Sequence, residues 1–130
     1  MTPRPPGRRT PCGATDARAR LTDAVAFLEA ARLATNADVI ATNAIHAAIA
    51  AADAICCLAL RERSADANHA AAVELLAQVD TRLSAAVRRA LDRKTQAAYE
   101  TRDVSARDAQ SCVRQAALLL DDAQRRMLSA

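Results

Sequence analysis

The fold is decided by the stretch DVIATNAIHAAIAAADAICCLALRER, residues 38–63, which holds the longest apolar run of the chain. Alanine, the strongest helix former, is its commonest residue, and neither proline nor glycine interrupts it, so the stretch predicts an α-helix. From Ala44 to Leu60 apolar side chains lie almost all round the helical wheel, which is typical of a membrane span or of the central helix of a bundle. Because His46 and Asp53 interrupt the run and alanine contributes little transfer energy, a buried helix is the better interpretation, and we expect no membrane association.

Amphipathic patterns on both sides of this stretch predict helices that pack on it. Before it, apolar residues recur at helical spacing from residue 15 to about residue 34, with Thr15 or Asp16 as the cap. After it, Asn68 is suited to cap a helical segment that continues to about Tyr99. That segment is one helix or two, and the polar pair Asp80-Thr81 favours a break.

The last helix opens at Ser105, which is followed three residues later by Asp108 and so resembles a capping box with the shorter acid. No segment alternates with period two, so no strand is predicted. All prolines and glycines lie before Ala14. These patterns predict an all-α, antiparallel bundle of four to five helices over residues 15–130, preceded at residues 1–14 by a disordered, basic Pro/Arg leader.

Charge and aromatic content limit the modes of nucleic-acid binding. The formal net charge is +3, and it resides in the leader, since the chain beyond it is balanced. One Phe, one Tyr and no Trp argue against an aromatic platform for base stacking. The arginine-rich, lysine-poor, alanine-rich composition indicates a high-GC bacterial coding bias. One local basic cluster is either a nucleic-acid contact or, as the better interpretation, a solvated helix face: Arg82, Arg88, Arg89, Arg93 and Lys94.

The cysteines do not form a metal-binding pattern. No C-x-x-C spacing occurs, and His46 and His69 are the only histidines, so a structural zinc site lacks its usual paired ligands. We expect no metal and no other cofactor. Cysteines in apolar helical patterns behave as small hydrophobes, and the first twenty residues have no apolar core typical of a signal peptide. We therefore expect a cytoplasmic protein with reduced thiols at Cys12, Cys56, Cys57 and Cys112.

Three polar residues interrupt the surface of the central helix. Asn43, His46 and Asp53 are separated by three and seven residues, which places them along one face. One interpretation is a stripe that faces solvent or bonds to a neighbouring helix, since buried polar groups are usually satisfied. The other is a polar cleft in which His46 titrates or binds a ligand. We favour the first interpretation.

Four segments, in their order and spacing, resemble the HEPN superfamily of small helical domains. They are the alanine-rich helix NAIHAAIAAADAICC, the histidine that opens the next helix in ANHAAAVELL, the segment LDRKTQAAYE, and a last amphipathic helix beginning SARDA. The resemblance covers residues 16–126 and implies a helical hairpin core that often dimerises, in proteins linked to RNA. Many members belong to toxin–antitoxin pairs, and some associate with nucleotidyltransferase-type or antitoxin proteins.

The resemblance also implies candidate site residues. Catalytic members carry an arginine, a polar residue and, a few positions later, a histidine, and the corresponding residues here are Arg63, Ser64 and His69. Histidine titrates near neutral pH and can move the proton of a ribose hydroxyl, while a guanidinium can stabilise phosphate charge. The arginine-and-tyrosine segment of the family corresponds to Arg93, Lys94 and Tyr99. The resemblance implies a Tyr99 hydroxyl bonded into the bundle, whereas a tyrosine simply packed at a helix end is the favoured interpretation.

Three functions remain open at this stage. The favoured one is a non-catalytic HEPN-like binding module, a homodimer or the partner of another protein, in a toxin–antitoxin or RNA-linked defence system. The second is a metal-independent ribonuclease toxin that uses Arg63 and His69. The third is a structural helical bundle with no link to RNA.

Overall fold

The computed structural model describes residues 7–130, of which five helices form the bulk. The helices are α1 (Ala14–Leu33), α2 (Ala37–Leu60), α3 (His69–Ala77), α4 (Thr81–Tyr99) and α5 (Ala106–Leu128). The fold is 77% helical, which confirms the predicted all-α helical bundle and its number of helices. Two short strands, β1 (Arg9–Pro11) and β2 (Glu62–Ser64), pair with each other in antiparallel orientation.

Helix α2 is the axis of the bundle and packs against all four other helices. Between Ala44 and Cys57 every residue except His46 is buried. Its small alanine side chains allow neighbouring helices to approach closely, and Ile55 and Cys57 are fully buried within it. By length and composition α2 could cross a membrane, with a mean hydropathy of 1.7, but 72% of that window is buried inside the bundle. The central helix of a bundle has the same composition because it too is enclosed by apolar neighbours.

Side-chain caps begin the later helices where their sequences predicted them. The Asn68 side chain accepts a hydrogen bond from Ala70 N at the start of α3, and Asp80 accepts from Arg82 N and Leu83 N at the start of α4. Asp80 thus divides the segment after Asn68 into two helices, as its polar pair indicated. Ser105 caps α5 through a bond from Asp108 N.

The prediction that the chain contains no strand is wrong at two places. Thr10 lies opposite Arg63 in the short ladder formed by β1 and β2. The period-two test missed both strands because each has only three residues, which is too short to show an alternation. Arg61, in the left-handed conformation with φ 63°, ends α2 and turns the chain into β2.

Part of the predicted disordered leader has a defined structure. Residues 7–14 have defined positions: β1 pairs with β2, and Gly13 precedes α1 with its N–H bonded to the Asp16 carboxylate. The prediction of disorder is therefore wrong for this part, because long-range pairing supplies the hydrogen bonds that the local sequence does not. The rest of the predicted leader, including Arg4, lies outside the described residues.

A disulfide joins Cys12 to Cys57, so the prediction of reduced thiols is wrong for this pair. The two Cα atoms lie 5.2 Å apart, within the usual range for a disulfide, although 45 residues separate the cysteines in sequence. The bond ties the segment before α1 to the buried face of α2. Cys56 and Cys112 are free and buried, as expected for cysteines in apolar helical patterns.

Candidate functional site: the groove between β2 and α3

The polar centre of the molecule is Asp53, a carboxylate buried on α2 with 6% of its surface exposed. Arg20 of α1 contacts it twice, with Nε 3.2 Å and Nη2 3.0 Å from Oδ2. Nη1 of Arg63, in β2, is 3.9 Å from the same oxygen. Arg20 also pairs with Asp23 one turn further along α1, at 2.9 Å. One buried carboxylate thus positions guanidinium groups from two separate elements.

Burial raises the pKa of the Asp53 carboxyl, and the nearby charges of Arg20, Arg63 and His69 only partly oppose this effect. Desolvating a carboxylate is costly, and its ion pairs repay the cost only in part. A raised pKa means that the ionised form of Asp53 is held at some expense to folding stability. The presence of a carboxylate at this buried position is therefore better explained by the guanidinium groups that it attracts than by a contribution to folding stability.

Asp53 and Arg63 open onto a surface groove of about 430 Å³ between β2 and α3. We call it the β2–α3 groove, and its lining residues are Arg8, Ile49, Asp53, Arg63, Ser64, Ala65, Asp66, Ala67, Asn68, His69 and Ala72. The groove brings together the two candidate catalytic residues, Arg63 and His69. Arg8, the residue before β1, also lines the groove, although it belongs to the segment that was predicted to be a disordered leader.

Besides Asp53 with its ion pairs, two acidic residues lie in or next to the groove, and they differ in their partners: Glu62 forms an ion pair, and Asp66, which lines the groove, accepts a backbone hydrogen bond. Glu62 pairs with Arg9 at 2.8 Å, across the two strands. Asp66 accepts a hydrogen bond from Arg8 N at 3.0 Å. In residues 7–130 no carboxylate lies within 4.0 Å of the Arg8 guanidinium. The groove therefore offers to a ligand the guanidinium of Arg8 and the partly paired one of Arg63, in the presence of the Asp66 carboxylate.

His69 is exposed at the first position of α3. Among the described residues its ring makes no side-chain hydrogen bond. A catalytic base is normally oriented by a third group, which the groove does not provide for this histidine. The site accordingly has the components to hold an anion, while its histidine is free to rotate.

The polar stripe of α2 does not form a single cleft. Asn43 donates its amide to Val39 O one turn earlier in the same helix, at 3.0 Å. His46 is exposed, and its ring packs edge-on against Phe27, with 5.2 Å between ring centroids. Only Asp53 reaches the groove, and it bonds to a neighbouring helix. The three residues drift round the helix because successive offsets of three and seven do not equal whole turns.

His46 lies in a positive environment that disfavours its protonation. Partial burial lowers its pKa below the ordinary value, and the nearby charges of His69 and Lys94 lower it further. The ring is therefore neutral at neutral pH. In that form it can accept a hydrogen bond from a ligand at the surface of α2, although it does not line the groove.

The predicted binding residues of α4 do not form one site. Arg93 pairs with Asp108 of α5 at 2.7 Å, whereas its neighbour Lys94 acts electrostatically on Asp38 and His46. Consecutive residues on a helix point about 100° apart, which explains the separation. Tyr99 is 90% exposed, so the implied bond of its hydroxyl into the bundle and the packed tyrosine are both wrong. It is the last residue of α4, and the core contact of that last turn is made by Ala97 instead.

A second groove, of about 550 Å³, lies between α4 and α5. Arg82 and Arg89 of the basic cluster line it, but so do Asp121 and Asp122. Asp121 pairs with Arg125 at 3.4 Å across one turn of α5. Charges of both signs along this groove give it no clear preference for an anion, so the cluster behaves mainly as a solvated helix face.

Sequence reasoning missed Arg8, Arg20 and the disulfide. A carboxylate on an apolar helix predicts a basic partner, yet the sequence contains too many arginines to say which one. Within residues 7–130 no group of three or more His, Cys, Asp or Glu side chains could hold a metal ion. The chain matches no protein-family model, and neither a curated protein nor a solved structure shows significant similarity to it.

Proposed function

We propose that the protein is a non-catalytic, HEPN-like binding module whose β2–α3 groove receives the phosphate backbone of single-stranded RNA. The observation that carries the proposal is the placement of Arg8 and Arg63 on one open groove, where no carboxylate of residues 7–130 lies within 4.0 Å of the Arg8 guanidinium and Asp53 is paired chiefly with Arg20. Guanidinium groups recognise phosphate through paired donors, and such charge-assisted bonds are among the stronger contacts that a surface can make. Ser64 and Asn68 lie at the same groove and can supply neutral hydrogen bonds.

Binding explains the groove better than catalysis does. Arg63 shares the Asp53 carboxylate, so part of its charge is already balanced in the folded protein. His69 lacks an orienting partner among the described residues. A second candidate is nevertheless specific: Arg63 and His69 line the same groove, as a metal-independent ribonuclease would require. In that case His69 would move the proton of the ribose hydroxyl, and Arg63 would stabilise the phosphate.

The resemblance further leads us to propose a homodimer, with a nucleotidyltransferase-type or antitoxin protein as partner, in a toxin–antitoxin or RNA-linked defence system. The cytoplasm remains the proposed location, with no membrane association and no cofactor. Because thiols are kept reduced there, the Cys12–Cys57 disulfide would be a redox-responsive bond in that compartment. Light scattering tests the oligomeric state, because a dimer has twice the chain mass of 13.8 kDa. Co-expression with the product of the neighbouring reading frame, followed by co-purification, tests the partner.

The deciding experiment measures RNA binding and RNA cleavage on the same samples. Fluorescence anisotropy with labelled single-stranded RNA, in EDTA, is compared for wild type, Arg63→Ala and His69→Ala. The control is Arg114→Ala, which removes an exposed arginine of α5 that does not line the groove. We expect Arg63→Ala to weaken binding about tenfold and the control to match wild type, because one charge-assisted contact is lost.

The remaining results separate the three functions. If the RNA is intact after long incubation with wild type, the hypothesis of a non-catalytic binding module is supported. Cleavage by wild type that is absent in His69→Ala would establish the ribonuclease. Equal binding by Arg63→Ala and Arg114→Ala would contradict a site in the groove. Absence of binding by wild-type dimer, with no cleavage, would leave the purely structural bundle as the explanation.

A further inference from the structure

We propose that the Cys12–Cys57 disulfide is a redox-sensitive latch that holds β1 in place and thereby keeps the β2–α3 groove competent to bind. The proposal concerns regulation of that groove and rests on the proposed function for its consequence. The latch itself is a statement about the position of residues 7–13, which can be measured without any ligand.

Besides the peptide bond from Gly13 into α1, the disulfide is a second covalent connection between the segment before α1 and the bundle core. Cys57 lies fully buried on α2, while Cys12 is half-buried directly after β1. All three residues of β1 are exposed, so burial contributes little to holding the strand. An isolated two-stranded ladder is at best marginally stable in water, and this one is only three residues long.

The remaining contacts of the segment are few and accessible to solvent. Cys12 N donates to Arg61 O at 3.0 Å, and Ala65 N donates to Arg8 O at 2.8 Å. Arg9 pairs with Glu62, but both side chains are about one-third exposed, and exposed ion pairs contribute little. Without the covalent bond, these contacts must alone offset the conformational entropy of ordering the segment.

Release of β1 would alter the groove directly. Arg8 lines the groove from this segment, and Thr10 lies opposite Arg63 in the ladder. Asp66, which lines the groove, would lose the hydrogen bond from Arg8 N. Reduction would therefore remove one positive group from the groove, leave the Asp66 carboxylate without that donor, and leave the backbone of Arg63 without its partner strand.

The chemistry of the latch is thiol–disulfide exchange with a small dithiol. The thiolate of the dithiol attacks Cys12 Sγ, the more accessible sulfur, forming a mixed disulfide and releasing Cys57 as a thiolate that takes up a proton. The second thiol of the dithiol then displaces Cys12, which is protonated in turn, and the dithiol leaves as a disulfide. Two electrons and two protons pass to the protein.

Cys56 is adjacent to Cys57 but is unsuited to compete in this exchange. It is buried, and burial raises the pKa of its thiol to about 12, so the thiolate is scarce at neutral pH. The free Cys112 is buried on α5, where its thiol contacts Ala90 O. The Cys12–Cys57 pair is accordingly the one expected to respond to an external dithiol within the described part of the chain.

Limited trypsin digestion tests the latch, because Arg8 and Arg9 are cleavage sites within the released segment. Oxidised wild type, dithiothreitol-treated wild type and Cys12→Ser are digested, and the cut after Arg8 or Arg9 is followed by mass spectrometry. Alkylation of the unfolded chains should first count two free thiols before reduction and four after it. We expect cleavage at least about tenfold faster in the two samples without the disulfide.

Two controls isolate the bond. Dithiothreitol should not change the digestion of Cys12→Ser, and Cys56→Ala, which keeps the disulfide, should behave like wild type in both redox states. Equal cleavage of oxidised and reduced wild type would overturn the latch, as would a count of four free thiols in the oxidised protein.

The same samples, before digestion, give the binding consequence. We expect RNA affinity to fall at least about tenfold on reduction in wild type and to remain unchanged by dithiothreitol in Cys12→Ser. Faster cleavage with unchanged affinity would overturn the regulatory role. Absence of RNA binding in every sample would contradict the proposed function, whereas the digestion alone would still decide whether the latch exists.

Discussion

At the scale of single residues, Asp53 determines how the groove is built. It is buried on α2, and its ion pairs with Arg20 and Arg63 bring together side chains from α1 and β2. Buried ion pairs are weak evidence for stability, because desolvation can cost as much as the attraction returns. The raised pKa of Asp53 agrees with this, because it means that burial in the folded protein favours the protonated form of the carboxyl. Its close partner is Arg20, at 3.0 Å, while Arg63 lies at 3.9 Å and is drawn to the carboxylate more weakly.

The substitution Asp53→Asn separates orientation from stability. A group whose folded pKa is raised contributes most below its unfolded pKa of 3.8 and less as the pH rises through the folded pKa. At neutral pH we expect Asp53→Asn to have a free energy of unfolding within about 1 kcal/mol of wild type, or above it, because the buried carboxylate is costly and Arg20 keeps its ion pair with Asp23. Urea denaturation measures this value, and RNA binding should weaken in the same variant. A loss of several kcal/mol would mean that the ion pair stabilises the fold.

His46 gives the protein a stability that depends on pH. Because its folded pKa lies below the ordinary 6.5, its contribution is fully present above 6.5 and is lost as the pH falls through the folded pKa. We expect the urea midpoint to decline between about pH 7 and pH 5, and to decline less in His46→Gln. NMR titration of the His46 ring gives the pKa directly. A value above 6.5 would contradict the lowering of this pKa by partial burial and by the charges of His69 and Lys94.

At the scale of secondary-structure elements, capping residues decide where helices begin. Asp80 accepts bonds from Arg82 N and Leu83 N and marks the boundary between α3 and α4. We expect Asp80→Ala to lower the free energy of unfolding by about 1 kcal/mol, as for other N-caps, measured by urea denaturation. Asp121→Ala is the matched control, because it removes an exposed carboxylate from an ion pair within one helix and should cost at most about 0.5 kcal/mol. Equal losses would argue against a capping role.

The strand β1 and the disulfide after it form the second element-scale feature. The disulfide closes a loop between cysteines 45 residues apart and restricts the unfolded chain. We expect Cys12→Ser to lower the free energy of unfolding by about 2–4 kcal/mol relative to the oxidised protein. Reduced wild type should fall to the same value, whereas Cys56→Ala should retain the sensitivity to dithiothreitol. A variant as stable as oxidised wild type would indicate that the bond does not form.

At the scale of the whole molecule, charge limits how RNA can be held. The net charge of +3 is small, and much of the remaining charge is paired on the surface. Two groove arginines, Arg8 and Arg63, predict contact with about two phosphates, and single-stranded RNA then gives a slope of log K against log salt of about −1.4. Anisotropy titrations over a range of KCl concentrations measure this slope. A much steeper dependence would mean that other basic residues, such as the cluster on α4, carry the binding.

The sequence by itself determined the helices, because their signals are local. The apolar run around α2, the caps at Asn68, Asp80 and Ser105, and the absence of glycine and proline after Gly13 all act within a few residues of the structure they specify. Periodicity and capping therefore predicted the all-α bundle and the break before α4. Arg63 and His69 were identified as candidate site residues only through the resemblance, and not through periodicity or capping.

Only the tertiary structure decided which segments meet. Three pairings depend on the path of the chain between residues 33 to 53 positions apart. They are the contact of Arg20 with Asp53, the position of Thr10 opposite Arg63, and the bond between Cys12 and Cys57. No local pattern encodes such pairs, since each residue has several chemically equivalent alternatives. The β2–α3 groove is lined mainly by residues 63–72, but only packing brings Arg8, Ile49 and Asp53 to that segment, so the site could be recognised only in the tertiary structure.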